Sequence, residues 1–368
     1  LKKTKIIKIA IVPVLLMILT ACSTDQAANT VVTQEPENTT TVIEVTDKEV
    51  GKPDVSVGKI DHYENIAISD WMDEETVVIS KENKDLGKMS LGELAEFSPK
   101  SLYLYHLDTK QYDLLKEQKN AFLGGALLSS DKTHLLYSEF SLGDPVYHVM
   151  DLDTLDSFGI MGDPIAGAMS ANWADDDTVI GPAYSGGAFT ASTSGEIAAV
   201  DGLSGEALVI VQKMKNKIYY NTNSDESLQV LDLNTKEKTS LNLDHVYRVF
   251  PSADGNQMLI LQYNDPKLTL ILCDADGGNR KVIAEGTELS GVSWSPDQRM
   301  IAYSLVNDTT VNGLYLYDLL TDKSTQIAID IENPTTSWSP SGRELAYTEM
   351  SGNQSSSSIV HLTYSLNN

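Results

Sequence analysis

Several groups of side chains in this sequence carry atoms that could do chemistry. Asp274, Asp276 and Asn279 place oxygen donors at a spacing that suits a hard cation such as calcium, yet the later carboxylate that an EF-hand loop needs is missing. Acidic runs at Asp73-Glu74-Glu75 and Asp175-Asp176-Asp177 read as solvated loop tips. His62, His106, His134, His148, His245 and His361 are scattered, with no His-Glu-x-x-His and no paired cysteines, so no metal ligand set is expected. Of these, His106, His148 and His361 fall on apolar β-runs and are expected as packed or rim residues. Neither a Gly-x-Ser-x-Gly nucleophile elbow nor a glycine-rich phosphate loop occurs. No catalytic residue and no cofactor is therefore assigned.

Arg248 stands apart, because Arg280, Arg299 and Arg343 occupy turn positions of a repeat and Arg248 does not. In so acidic a chain, an arginine between Tyr247 and Phe250 reads either as an anchor for an anion or carbonyl or as half of a structural ion pair. The candidate ligand- or partner-contacting residues are Arg248, Tyr247 and His245, Tyr184 from the loop Tyr184-Ser185-Gly186-Gly187, and Leu94 and Phe97 from an insertion described next.

The elements that must position these residues repeat. Trp294-Ser295-Pro296-Asp297-Gln298-Arg299 leads into Met300-Ile301-Ala302-Tyr303, and Trp338-Ser339-Pro340-Ser341-Gly342-Arg343 returns 44 residues later. Proline sets φ for the first corner of a tight turn and aspartate suits the second, so each copy reads as a hairpin. Equivalent positions at Trp71, Leu128, Trp173, Val211, Pro251, Trp294 and Trp338 give gaps of 57, 45, 38, 40, 43 and 44 residues, a period that belongs to propellers. Companion runs such as Leu268 to Asp274 and Leu314 to Asp318 are apolar on both faces, as strands sandwiched between two neighbouring sheets must be. The expected fold is all-β, a β-propeller of four-stranded antiparallel blades. Seven blades are favoured over six, which would stretch each blade to 52 residues of the 312 from Val57. The last block is one strand short, and a segment near Val55–Ile60 is expected to complete it. Between Lys81 and Lys100 an insertion carries a capping-box pattern, Ser90-Leu91-Gly92-Glu93, with Leu91, Leu94 and Phe97 at helical spacing. A short helix over one mouth of the ring follows, as an edge cover or as a lid.

The N-terminus has its own grammar. Lys2, Lys3, Lys5 and Lys8 precede an apolar run from Ile9 to Leu19, too short to span a bilayer, and then Leu19-Thr20-Ala21-Cys22. Residues 1–21 read as a signal peptide, with Leu1 the product of a non-AUG start, and residues 22–54, rich in Thr, Glu, Gln and Asn, as a flexible tether before the propeller at 55–368. The cleavage group resembles the lipobox of bacterial lipoproteins, which implies acylation of Cys22 and a chain anchored on the extracytoplasmic face of the membrane. The formal net charge is −25, and −29 without the signal's four lysines, which excludes nucleic acid as a partner. The second cysteine, Cys273, lies at the end of an apolar run and reads as a buried, inert thiol.

The Trp-Ser-Pro-Asp turn with Ile301-Ala302-Tyr303, together with Asp274-Ala275-Asp276-Gly277-Gly278-Asn279-Arg280, resembles the repeats of TolB-type β-propellers, and the whole chain resembles the YqgU-like propeller lipoproteins of Gram-positive bacteria. The match is strong in blades five to seven and poor in the fourth. The resemblance implies a plain hairpin turn, not a calcium loop, at Asp274. A monomeric binding or scaffold module for a cell-envelope protein, peptide or glycan follows as the expected function, one version being a modulator of a membrane protein. The alternative is a hydrolase or lyase acting on wall polymer at the channel mouth.

Overall fold

The computed structural model describes residues 54–307 and 311–365. These belong to the compact unit Thr40–Asn368. The expected signal peptide, Cys22 and the expected tether up to residue 53 lie outside the described residues. Among the described residues there is no α-helix, and nearly every long segment is an antiparallel strand.

The strands fall into meanders of four. Five form separate four-stranded sheets. The remaining two, Ile66–Trp71 through Tyr112–Lys116 and Phe122–Leu128 through Ser157–Gly159, are joined into one eight-stranded sheet by a single parallel bridge between Lys100 and Phe122. In chain order the other meanders begin at Asn172, Leu208, Val246, Glu288 and Thr335. The last is Thr335–Trp338, Glu344–Ser351 and Gln354–Ser365, and its fourth strand is the first of the chain, Asp54–Glu64, paired with Gln354–Ser365 over ten residues.

Period-two alternation explains why the sheets stack around a ring. In the strand Gln257–Asn264, Met258 and Ile260 enter the cluster shared with the preceding sheet, while Leu259 and Leu261 enter the one shared with the following sheet. Met300 and Ala302 against Ile301 and Tyr303 divide in the same way. Every buried apolar cluster among the described residues joins two sheets that neighbour each other. One of these joins the first sheet to the last, through Ile68, Trp71 and Ile79 against Ala346 and Ile359. No sheet keeps both faces dry by itself, so closure of the ring and formation of the core are one event. The fold is a β-propeller.

All four tryptophans occupy equivalent places. Each ends the innermost strand of its sheet, and its indole N–H donates to the innermost strand of the preceding sheet: Trp173 to the Leu127 carbonyl (2.9 Å), Trp294 to that of Phe250 (3.1 Å) and Trp338 to Ser293 Oγ (3.1 Å). Trp71, fully buried, donates to the Ser337 carbonyl (3.1 Å), carrying the rule across the join between the first sheet and the last. Asp70 beside it accepts from the Leu128 N–H (2.9 Å) of the second sheet and from Ser337 Oγ (3.4 Å) of the last, so one carboxylate ties three innermost strands.

The recurrent turn is a serine turn more than a proline turn. Ser129, Ser252 and Ser295 each donate through Oγ to the aspartate two residues on, at 2.6, 2.7 and 2.6 Å, and accept from the N–H five residues on. Ser339 repeats the geometry with Ser341 in place of aspartate. Two of these turns lack proline, which is why they are faint in the sequence. The anchor expected at Val211 is displaced: that strand runs on to Met214, which takes the end position, and the turn shrinks to Lys215-Asn216.

The expected helix does not form. Ser90 gives its N–H (2.7 Å) and Oγ (3.1 Å) to Asn120 Oδ1 instead of closing a capping box with Glu93, and Gly92 has positive φ. What remains is two single 3-10 turns, Lys84–Leu86 and Gly92–Leu94. The Asn83 N–H closes the neck of the insertion on the Pro99 carbonyl (2.7 Å), and the Asn83 side-chain amide ties it to the body through Ser101 Oγ (3.1 Å) and Glu117 (3.1 Å).

Candidate binding face

Antiparallel order brings the second-to-third-strand loops and the connections between sheets to one end of the ring, since Ile66 pairs with Lys81 while Trp71 pairs with Val77 at the opposite end. All six candidate residues belong to the first end, the mouth. Phe97 and Leu94 are in the insertion of the first sheet, Tyr184 in a loop of the third, and His245, Tyr247 and Arg248 at the start of the fifth. They lie on three different sheets, so they form separate points on a face and not one catalytic constellation.

Around the fifth sheet the geometry is specific. Arg248 and Tyr247 sit at a bulge of the innermost strand Val246–Pro251, which turns both side chains outward. The guanidinium lies 5.6 Å from the Tyr247 ring centroid, and among the described residues it forms no ion pair. His245, held at φ 54°, instead pairs through Nδ1 with Glu226 (2.8 Å) of the adjacent sheet, and its carbonyl accepts from the Tyr263 N–H (2.9 Å). Tyr263 donates from its hydroxyl to Asp265 (3.1 Å), which pushes the phenol up.

Phe97 begins an aromatic row. Its ring meets Phe122 edge-on at 6.3 Å, and Phe122 stacks on Phe140 at 6.5 Å, with Lys100 Nζ 5.8 Å from the Phe122 centroid. Burial holds the Lys100 amine below the usual lysine range. Leu94 is half-buried. Tyr184 is 45% exposed. Partial burial and the nearby Asp144 carboxylate push its phenol up.

Phe140, Tyr263 and Glu226 were not among the candidates. The first two end second strands, where a sequence read for its repeat takes them as core, and Glu226 is recognisable only through the neighbouring sheet. Among the described residues six aromatic side chains are exposed; five lie at the mouth and the sixth, Tyr112, on an outer strand.

The opposite end differs. Cavities of 570 Å³ at Asp73–Thr76 with His106 and Asp108, and of 610 Å³ at Lys215–Lys217 with Asp254 and Asp274, lie there among turn and strand-end residues. The calcium-like donors there serve the turn itself: Asp276 accepts from the Gly278 N–H (2.8 Å) and Asp274 from the Asn279 amide (2.5 Å). No group of three His, Cys, Asp or Glu side chains among the described residues has metal-holding geometry. Burial pushes the Cys273 thiol up to about 12, as an inert core cysteine requires.

No protein-family model matches the chain, and no curated protein matches it. Solved structures do. An oligogalacturonate lyase in complex with manganese is similar over 86% of this chain and 99% of its own, at 13% identity and a TM-score of 0.61. The Cps50 (Swd1) β-propeller domain of Myceliophteria thermophila is similar over 84% and 100%, at 11% identity and a TM-score of 0.54. TolB from Acinetobacter baumannii is similar over 80% and 67%, at 12% identity and a TM-score of 0.49. At these identities the likeness is one of fold, a β-propeller architecture shared with chains of differing function.

Proposed function

We propose that this chain is a binding module: a seven-bladed propeller, anchored through an acylated Cys22 on the extracytoplasmic face of a bacterial membrane, whose mouth takes a cell-envelope protein, peptide or glycan. The observation that carries the reading is the gathering of exposed aromatic residues at one end of the ring, on loops and strand ends outside the recurrent turns. Enzyme sites converge on a pocket, whereas binding faces spread apolar anchors over a surface. The mouth also exposes Asp144, Asp163, Glu226, Asp244 and Glu332, so a partner that offers cationic groups beside apolar ones fits best. Arg248, which forms no ion pair among the described residues, supplies a positive contact from an innermost strand within that acidic surround.

Crosslinking in native membranes tests the reading, with wild type compared against Tyr184→Ala, Tyr247→Ala and Arg248→Gln. A defined partner recovered with wild type and lost with the mouth variants supports it. Recovery unaffected by all three, or turnover of a wall polysaccharide abolished by removing channel carboxylates, overturns it in favour of a lyase or hydrolase.

A further inference from the structure

The join between the first strand and the last holds a cluster that the binding reading does not use. His361 occupies the strand Gln354–Ser365, directly opposite Glu344 on one side and Lys59 on the other. Its Nε2 lies 2.8 Å from Asp61 Oδ2 on the closing strand, and its Nδ1 lies 2.7 Å from Glu344 Oε1 on the inner neighbour. Lys59 Nζ also reaches Asp61 Oδ2 at 2.8 Å. The remaining groups facing the cluster are Tyr63 on the closing strand and Glu74 on the adjoining turn, whose carboxylate accepts from the Ser341 N–H (2.6 Å) and Oγ (2.8 Å).

Proton counting at this imidazole is restrictive. Both ring nitrogens face carboxylate oxygens, and an oxygen of an ionised carboxylate can only accept. A neutral imidazole has one N–H and satisfies one of them. With the Nε2 bond to Asp61 made, a neutral imidazole would turn its Nδ1 lone pair toward the Glu344 carboxylate 2.7 Å away, a repulsion relieved by an imidazolium with two carboxylates or by a neutral imidazole with one protonated acid. In both cases the three groups hold one proton more than a neutral histidine and two ionised carboxylates hold in water.

We propose that closure of the ring is proton-linked: seating the strand Asp54–Glu64 against His361 takes up one proton, so the closing strand is held more firmly at mildly acidic than at mildly alkaline pH. The neighbouring groups agree in direction. Burial in first place, and Glu74 with it, push the Glu344 carboxyl up, so the acid nearest Nδ1 is the readier to keep a proton. Asp61 is held below the usual range by Lys59 and His361, against the opposing effect of burial, and so remains the ionised partner. A group that binds its proton more tightly when folded adds stability at low pH and loses it as pH rises through the folded value.

Hydrogen exchange of the closing-strand amides in the full chain, corrected for the intrinsic rate, reads this directly. Protection of residues 55–63 in wild type is expected to fall as pH rises from 5.5 to 8, by up to about tenfold per pH unit, the limit for one linked proton. His361→Gln removes that dependence. Glu344→Gln, whose amide can donate to a neutral imidazole, also flattens it while keeping the strand paired, and serves where the histidine variant does not fold. Protection in wild type that is flat or rises with pH, or a dependence unchanged in either variant, overturns the proposal.

Discussion

Both ends of the ring carry acidic side chains and use them in opposite ways. At the turn end the acids are consumed by the backbone. Asp131 is held below the usual carboxylate range by Ser129 and by the Thr133 N–H and hydroxyl, Asp254 by the Asn256 N–H and Ser252, and Asp232 by the N–H groups of Thr235 and Asn234. The same bonds recur from sheet to sheet. At the mouth the connections range from a 17-residue loop, Asn83 to Pro99, to the two residues Asp265 and Pro266. There the side chains face water. Recurrence marks architecture, and departure from it marks the surface left free for recognition.

That contrast breaks most readily at the joins. Trp71→Ala removes a fully buried indole and its hydrogen bond to the last sheet, so a loss of about 3–5 kcal/mol is expected in denaturant unfolding, the range for large aromatic truncations. A loss below about 1 kcal/mol would show that the ring does not depend on this seam. Ser129→Ala and Ser295→Ala each strand a buried turn, and each is expected to cost about 1–2 kcal/mol. Dissimilar costs at the two serines would mean that the turns are alike in shape but not in energy. At low pH the same end weakens. The depressed carboxyls of Asp131, Asp232 and Asp254 contribute stability above the unfolded carboxyl value of about 3.9, and lose it as pH falls through their lower folded values. Unfolding midpoints should therefore drop below about pH 4, and less steeply in Asp254→Asn. Smallest of all, Tyr247→Ala and Tyr184→Ala should move stability by no more than about 0.5 kcal/mol while partner capture is lost. A large destabilisation would place these tyrosines with the architecture.

The strand grammar is written within each repeat, which is why the all-β fold and the ends of most innermost strands are legible from residue order. Trp294 and its turn carry their own explanation in adjacent residues. The fourth repeat is harder, because its turn has only Lys215-Asn216 to mark it and the true strand end, Met214, carries no distinctive signal. The insertion shows how local rules lose to tertiary partners: Ser90 fits a capping box, but Asn120, thirty residues away, takes both of its donors. His361 is the extreme case. Read alone it is a histidine on an apolar strand, and its partner Asp61 lies 300 residues upstream. Arg248 is identifiable by its departure from the repeat, but its lack of an ion pair among the described residues depends on which carboxylates the ring carries past it.

The seam between first strand and last also governs the order in which the molecule is made. Val55, Ile68 and Trp71 find their partners in Tyr364, Ser357 and Ser337, so the earliest residues of the propeller must wait for the final ones. A nascent chain leads with a bare edge strand that nothing nearby in the sequence can cover. Such contacts, separated by almost the whole length of the chain, make assembly slow and leave that edge open to misplaced pairing until the last strand arrives.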